Sequence, residues 1–270
     1  MIESSLSILS FDEAQPDFSS QDSMIRIRDA VEGMTEYVLT HSPEASTMLQ
    51  HYDSLSPIGI TPSKMLAELG WVVYSSGFRY DVVRKYWKAI CRAFNGFEVR
   101  YVASLYENIE SEAERICCAS GFKNKKKAMW CIHNARRIIE LNFERKEMGG
   151  IGGYWAELSR KNTYDLIHLA PLLVDEFQFK GIGNTTIFHL MKNLGIDIFK
   201  PDRHVRRALV MLGLIRAEEV PIHEICRAML TLSQASQRRI IELDTLIFEY
   251  GRMTKDSDVL KANAISAKLG

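Results

Sequence analysis

An aspartate surrounded by basic residues is the side chain in this sequence best suited to chemistry. Asp202 lies in the segment 200–207, which reads Lys-Pro-Asp-Arg-His-Val-Arg-Arg. The pattern after it predicts a helix, and a carboxylate in the first turn of a helix is stabilised by the helix dipole. Such a group can stabilise positive charge that develops on a substrate and can guide an attacking water. The same residue is also an ordinary helix N-cap, and position alone leaves both interpretations open.

A short glycine turn lies about one helix before this aspartate. Gly181-Ile182-Gly183 is flanked by helical patterns on both sides, which predicts a tight turn between two helices. Glycine lets backbone N–H groups approach a ligand closely, and the N-terminus of the following helix adds partial positive charge. The turn is therefore either a phosphate-binding site or a plain helical hairpin that needs a left-handed residue.

The turn and the aspartate occur together at a spacing that is known from one family. Residues 179–186, which we call the hairpin segment, read Phe-Lys-Gly-Ile-Gly-Asn-Thr-Thr, and an amphipathic pattern separates them from 200–207. This arrangement resembles the helix-hairpin-helix and Gly/Pro-Asp signature of the DNA glycosylase superfamily, in which a G-[VI]-G hairpin is followed by D-x-H-V-x-R. The second element is complete here as Asp202, His204, Val205 and Arg207.

The middle of the chain resembles the 3-methyladenine DNA glycosylase I branch of that superfamily. The similar stretches are 68–71, 80–94, 121–127, 134–136, 153–155 and 177–186. The Cys/Trp motif and the His/Cys zinc ligands of that branch have no counterpart in this sequence, so we expect no metal and no cofactor.

The resemblance implies an all-α fold of two lobes with a cleft between them, and an enzyme that releases a damaged base from double-stranded DNA. Cleavage of an N-glycosidic bond leaves positive charge on the sugar, so Asp202 is expected to stabilise an oxocarbenium-like transition state. Bifunctional members of the superfamily carry a Lys two residues after the second glycine of the hairpin. Thr185 occupies that position and cannot form an imine, so the resemblance implies a monofunctional enzyme that uses water as nucleophile.

A base that is extruded from DNA needs a pocket of aromatic faces with one or two polar groups. Glu68 lies near the position of the base-reading Glu of the methyladenine branch, and a carboxylate among apolar residues needs a function or a partner. The expected pocket residues are Glu68, Trp71, Tyr74, Phe78, Tyr154 and Trp155. Most aromatic residues on amphipathic helices belong to the core, and that interpretation stays open for each of them.

The net charge of zero hides an uneven distribution along the chain. Residues 1–22 contain five acids and no base, 123–147 contain eight bases against three acids, and 180–216 contain seven against two. If the two basic segments share a face, that face attracts polyanions; otherwise they form two solvated helix faces. The expected DNA-binding residues are Lys125, Lys126, Lys127, Lys180, Gly181, Ile182, Gly183, Asn184, Thr185, Thr186, Arg203, Arg206 and Arg207.

Apolar residues recur at helical spacing almost throughout, which predicts an all-α chain. The glycine-rich run 149–153 predicts a flexible loop leading to Tyr154 and Trp155. The predicted helices lie near 23–40, 62–77, 80–94, 108–119, 123–142, 163–177, 184–195, 202–213, 221–233 and 236–250.

These helices are expected to form two lobes. One lobe covers 62–195 and ends in the hairpin segment, and the other combines 23–61 with 196–255. Residues 1–22 are expected to form an acidic tail that weakly covers the DNA cleft, and 256–270 a C-terminal tail.

Several protein classes are excluded by length and composition. The longest uncharged apolar stretch, Leu69–Phe78, has ten residues, whereas a membrane span needs about 20. The five cysteines follow no pairing pattern and are expected to be small core residues in a reducing compartment. We therefore expect a cytoplasmic monomer, associated with the nucleoid if the source is bacterial, and no membrane partner.

The sequence predicts a base excision repair enzyme for an alkylated purine such as 3-methyladenine, because a cationic base leaves easily and stacks on aromatic rings. The alternatives are a glycosylase for an oxidised or mismatched base and a non-catalytic helix-hairpin-helix DNA-binding protein. A third alternative is a helical adaptor whose basic faces bind acidic proteins.

Overall fold

The computed structural model describes residues 20–253, and all regular secondary structure in this range is helical. The predicted all-α class is therefore confirmed. The α-helices are α1 (Gln21–His41), α2 (Pro43–Ser54), α3 (Pro62–Ser75), α4 (Tyr80–Ala93), α5 (Val99–Ser104), α6 (Ile109–Ser120), α7 (Lys125–Glu144), α8 (Gly150–Leu158), α9 (Thr163–Phe177), α10 (Thr186–Asn193), α11 (Arg203–Met211), α12 (Ile222–Ser236) and α13 (Ile240–Met253). Short 3₁₀ turns lie at Asn95–Phe97, Leu105–Asn108 and Lys146–Met148.

All ten predicted helices are present, with ends that differ by a few residues, and α2, α5 and α8 are additional. Helix α2 fully buries a single side chain, Ala45, so it has no apolar stripe that a sequence pattern could reveal. Helix α5 is only six residues long. The predicted loop at 149–153 is wrong, because α8 begins inside it.

The glycines of this run serve close packing rather than flexibility. A Cβ at Gly152 would collide with the carbonyl oxygen of Ile60, and one at Gly153 would collide with that of Met148. The backbone of Gly149 is left-handed, with φ of 84°, where it caps the start of α8. Small residues therefore allow α8 to begin directly against two other segments.

Replacing Gly152 with Ala is expected to lower the free energy of unfolding by about 1–3 kcal/mol, because the added methyl group overlaps a backbone oxygen that cannot move freely. Urea denaturation of the variant checks this value. Gly33→Ala on α1 is the matched control, since a Cβ there meets nothing within 4 Å and Ala favours a helix. An equal loss of stability in both variants would contradict the packing role of Gly152.

The helices form two packing groups. In one, α7 packs against α3, α5, α6 and α8, with α4 on α6; in the other, α1, α2, α11 and α12 surround α13. Helix α9 contacts α12 and α10, and α10 contacts α3, so this pair joins the groups. The hairpin segment therefore lies where the two groups meet.

Part of what the sequence suggested lies outside the described residues. The predicted C-terminal tail, 256–270, lies outside them, and so do residues 1–19 of the predicted acidic tail, together with its expected cover over the DNA cleft. The last acid of that tail, Asp22, is described and lies in the first turn of α1. Of the cysteines, Cys118 is exposed, so the expectation that all five are core residues is wrong. Among residues 20–253, every helix is too short or too polar to cross a membrane.

Candidate active site

A large open cavity lies where the two packing groups meet. Its volume is about 1890 Å³, and its walls come from α2, α3, α4, α10, α11 and α13 together with the loop 76–79. It brings together seven of the residues expected from the sequence: Glu68, Trp71, Phe78, Thr185, Thr186, Asp202 and Arg203.

Asp202 is the N-cap of α11 and lines this cavity. Its Oδ1 accepts hydrogen bonds from the backbone N–H groups of His204 at 2.9 Å and Val205 at 3.3 Å. Its Oδ2 lies 3.3 Å from Nζ of Lys200. One carboxylate oxygen is thus fixed by the helix, and the other is paired with the partly exposed side chain of Lys200.

A buried ion pair lies directly behind this segment. Nζ of Lys192 on α10 contacts Oδ2 of Asp244 on α13, and both side chains are almost fully buried. The other oxygen, Oδ1, accepts the backbone N–H of Lys200 at 3.0 Å. Burial opposes the charge on Lys192, but Asp244 and Tyr52 together outweigh it, and the pKa of Lys192 lies above its ordinary value. Asp244 therefore ties α10 to the backbone two residues before Asp202.

Glu68 on α3 faces the same cavity and is held by α10. Its Oε2 accepts a hydrogen bond from Nδ2 of Asn193 at 3.2 Å. Burial raises the pKa of Glu68, while Lys64 and the Asn193 hydrogen bond oppose this rise. The cavity therefore contains a carboxyl group that binds its proton more tightly than an exposed one.

Glu68→Gln is expected to change how stability depends on pH. A folded-state pKa above the unfolded value means that the contribution of Glu68 to stability is present at low pH and is lost as the pH rises through the folded pKa. The native protein should therefore lose stability relative to Glu68→Gln between pH 4 and pH 7. Urea denaturation of both proteins across this range checks the sign, and a difference that stays constant with pH would contradict it.

Aromatic rings form much of the wall beside Glu68. The ring of Trp71 meets Trp87 edge to face, with centroids 5.0 Å apart, and Tyr80 at 5.7 Å. Tyr52, Phe78 and Phe248 also line the cavity. A planar ligand entering this cavity would therefore meet several aromatic side chains.

Three expected pocket residues are not part of the cavity, and their assignment is corrected. Tyr74 is fully buried in the core, where it packs against Phe94 and Phe122. Trp155 is also fully buried, on α8. The hydroxyl of Tyr154 bonds to Glu176 at 3.2 Å. Tyr74 is absent from the cavity wall because it points into the core, and Tyr154 and Trp155 are absent because α8 packs on α7 and contributes no residue to this wall.

The hairpin segment has the expected tight turn. Gly181 is left-handed, with φ of 82°, and a Cβ there would collide with the ring of Trp130 on α7. The N–H of Gly183 donates to the hydroxyl of Thr186 at 2.7 Å, which fixes the start of α10. Gly183, Asn184 and Thr185 are exposed. Exposed backbone amides at a helix start are suited to binding an anion.

Two of the expected DNA-binding cations are occupied within the protein, and their assignment is corrected. Lys127 is buried and donates to the carbonyl oxygens of Val73 and Ser76, so it closes the end of α3. Arg206 donates to three carbonyl oxygens, at Pro201, Glu218 and Val220, and so holds the loop after α11. Buried carbonyl groups need such donors, which explains both positions.

The other expected cations are at the surface. Lys125 pairs with Glu110 at 2.6 Å, and Arg207 lies 3.7 Å from Glu218. Lys126 is exposed above the ring of Trp130. Lys180 and Arg203 are exposed as well.

Several cavity residues were not expected from the sequence, among them Tyr52, Trp87, His189, Lys192, Asn193, Lys200, Asp244 and Phe248. The sequence of α10 could have indicated some of them, because the polar residues His189, Lys192 and Asn193 interrupt a mostly apolar helix. Burial, with Lys200 and Lys192 nearby, lowers the pKa of His189 well below its ordinary value, so this ring is neutral at physiological pH.

No family model, curated protein or solved structure matches this chain. Within residues 20–253, no group of three or more His, Cys, Asp or Glu side chains is arranged to hold a metal ion.

Proposed function

We propose that this protein is a monofunctional DNA N-glycosylase that removes an alkylated purine from double-stranded DNA. The observation that carries the proposal is that Asp202, the end of the hairpin segment and Glu68 line one cavity, although they lie up to 134 positions apart in the chain. The two packing groups on either side of this cavity support the predicted lobes, 62–195 and the combination of 23–61 with 196–255.

The proposed chemistry centres on Asp202. The damaged nucleotide leaves the duplex and its base enters the cavity. As the bond between C1′ and the base nitrogen breaks, the electron pair leaves with the base and positive charge develops on the sugar. Oδ2 of Asp202 stabilises this charge, orients the water that adds to C1′ and accepts the proton that this water releases as its oxygen bonds to C1′. The amide bonds to Oδ1 hold the carboxylate in place, so little reorganisation is needed during the reaction.

The wall of the cavity supports an alkylated purine as the substrate. Trp71, Trp87 and Tyr80 line the cavity and supply aromatic rings on which a planar base can stack, and a base that carries positive charge gains additional attraction from stacking. Glu68 adds a carboxyl group that can accept a hydrogen bond from such a base or balance its charge.

DNA is proposed to bind along the hairpin segment. The exposed residues Asn184 and Thr185 supply backbone donors for phosphates, since the N–H of Gly183 already donates to Thr186, while Lys126, Lys180 and Arg203 supply positive charge. We propose that the enzyme acts as a monomer, because a single chain contains both the cavity and the hairpin segment. The cytoplasmic location expected from the sequence is part of the same proposal.

The test is the release of free bases from randomly methylated duplex DNA by the full-length protein, with undamaged DNA as control. We expect 3-methyladenine to be released and strand breaks to appear only after alkali, because Thr185 cannot form a Schiff base. Breaks without alkali would contradict the monofunctional mechanism. DNA binding without release of any base from methylated, oxidised or mismatched duplexes would favour a non-catalytic DNA-binding protein. Absence of DNA binding would favour an adaptor.

A further inference from the structure

A second cavity, which we call the α7 notch, lies where α7 packs against the start of the hairpin segment. It has a volume of about 210 Å³ and shares no lining residue with the large cavity. Its lining residues are Tyr106, His133, Asn134, Arg136, Arg137, Glu140, Gln178 and Lys180. Of these residues Lys180 is already proposed to contact DNA, whereas the cavity itself and Arg136 have no proposed role.

Asn134 joins the hairpin segment rigidly to α7. Its buried side chain donates from Nδ2 to the carbonyl oxygen of Lys180 at 3.0 Å and accepts the N–H of the same residue at 2.7 Å. One residue later, Gly181 packs directly on Trp130 of α7. The backbone of Lys180 therefore keeps a fixed position relative to α7.

The ring of Tyr106 orders two further basic side chains in the notch. The guanidinium of Arg136 lies 4.1 Å from the ring centroid, and His133 meets the ring edge to face at 4.9 Å. Stacking restrains an arginine in one orientation, so less side-chain entropy is lost when its planar group binds an anion.

The positive charge of the notch is not balanced within the described part of the chain. Between residues 20 and 253, no ion pair is formed by Arg136 or Lys180. Glu140 is the acid among the lining residues, and it pairs at 3.4 Å with Arg137, which also binds Glu144 and two backbone carbonyls. Burial, followed by Lys180 and Arg136, lowers the pKa of His133. A bound anion would relieve the repulsion among these groups.

We propose that the α7 notch binds a phosphate group between Arg136 and Lys180, and that this group belongs to the backbone of DNA bound along the hairpin segment. The second part rests on the proposed function, whereas the phosphate chemistry does not. An arginine presents a fork of donors to phosphate oxygens, and a lysine adds a point charge. Thr185, at the other end of the hairpin segment, lines the large cavity, so one DNA strand can pass from that cavity to the notch.

The first test compares the affinity of full-length proteins for a fluorescent, undamaged duplex by anisotropy. Arg136→Gln/Lys180→Gln is expected to weaken binding about tenfold. The plot of log affinity against log salt concentration falls with salt, and the double variant should make its slope shallower by about 1. The control is Lys88→Gln/Lys161→Gln, which removes two exposed charges that line neither cavity. Equal effects of the two double variants would overturn the notch as a DNA contact, since net charge alone would then explain the loss.

The second test follows the ring signals of His133 by NMR, assigned with His133→Gln, while the duplex or inorganic phosphate is added. A shift with the duplex that is lost in Arg136→Gln/Lys180→Gln supports a backbone phosphate. A shift with inorganic phosphate alone supports the phosphate chemistry but overturns DNA as its source, and no shift with either overturns the proposal. If the protein releases no base but its DNA binding still depends on the notch, the phosphate site is supported and the proposed glycosylase function is contradicted.

Discussion

Asp202→Asn is expected to reduce base release from methylated DNA by about a hundredfold or more while leaving DNA affinity nearly unchanged. Loss of one preorganised group that stabilises charge in a transition state typically costs a factor of about 10²–10³. Asparagine removes the negative charge but still has an oxygen that can accept the amide bonds from His204 and Val205. Because Asn is as good an N-cap as Asp, the fold should be retained. Single-turnover base release and anisotropy with the same duplex measure the two effects separately.

Asp202→Ala provides the matched comparison. This variant loses the charge and the cap together, so it should also lower the free energy of unfolding by about 1 kcal/mol. If the asparagine variant released bases as fast as the native protein, Asp202 would be only a helix cap and the proposed mechanism would fail. If both variants were inactive and only the alanine variant were less stable, the catalytic and structural roles of Asp202 would be separated.

Sequence periodicity predicted most helices because burial leaves a local pattern. Helix α7 is the clearest case, since its buried positions from Ala128 to Leu141 follow one stripe. Helix α2 has no such stripe, and the start of α8 is hidden by glycines whose role depends on Ile60, a residue about 90 positions earlier. Where a helix forms through contacts distant in the sequence, local propensity carries little information.

The residues of the large cavity were also predicted only in part, because some belong to a local sequence pattern and others are brought together by contacts that are distant in the sequence. Asp202 and the hairpin segment stood out through their local spacing in the sequence, and Asp202, Thr185 and Thr186 line one cavity. Trp71 and Tyr74 lie on the same helix, yet one lines the cavity and the other is core, because two packed faces of α3 are both apolar. Lys125, Lys126 and Lys127 look equivalent in a row, but successive residues on a helix point about 100° apart, so the third is buried.

The pair of Lys192 and Asp244 could not have been predicted, since 52 positions separate its members. It is nevertheless expected to contribute the largest effect on stability of any ion pair described here. Both side chains are almost completely removed from water, and removal of one partner leaves the other charge buried. Lys192→Met or Asp244→Asn alone should therefore lower the free energy of unfolding by about 3–5 kcal/mol. Urea denaturation at neutral pH measures each loss.

The double variant Lys192→Met/Asp244→Asn distinguishes an interaction from two separate losses. It leaves no buried charge, and its asparagine oxygen can still accept the N–H of Lys200. We expect it to be clearly more stable than the sum of the single losses predicts, with a coupling free energy of about 1–3 kcal/mol. Additive losses would show that the two side chains act independently.

Because Asp244 holds the backbone two residues before Asp202, Asp244→Leu should also slow base release at saturating DNA more than Lys192→Met, provided that both variants remain folded.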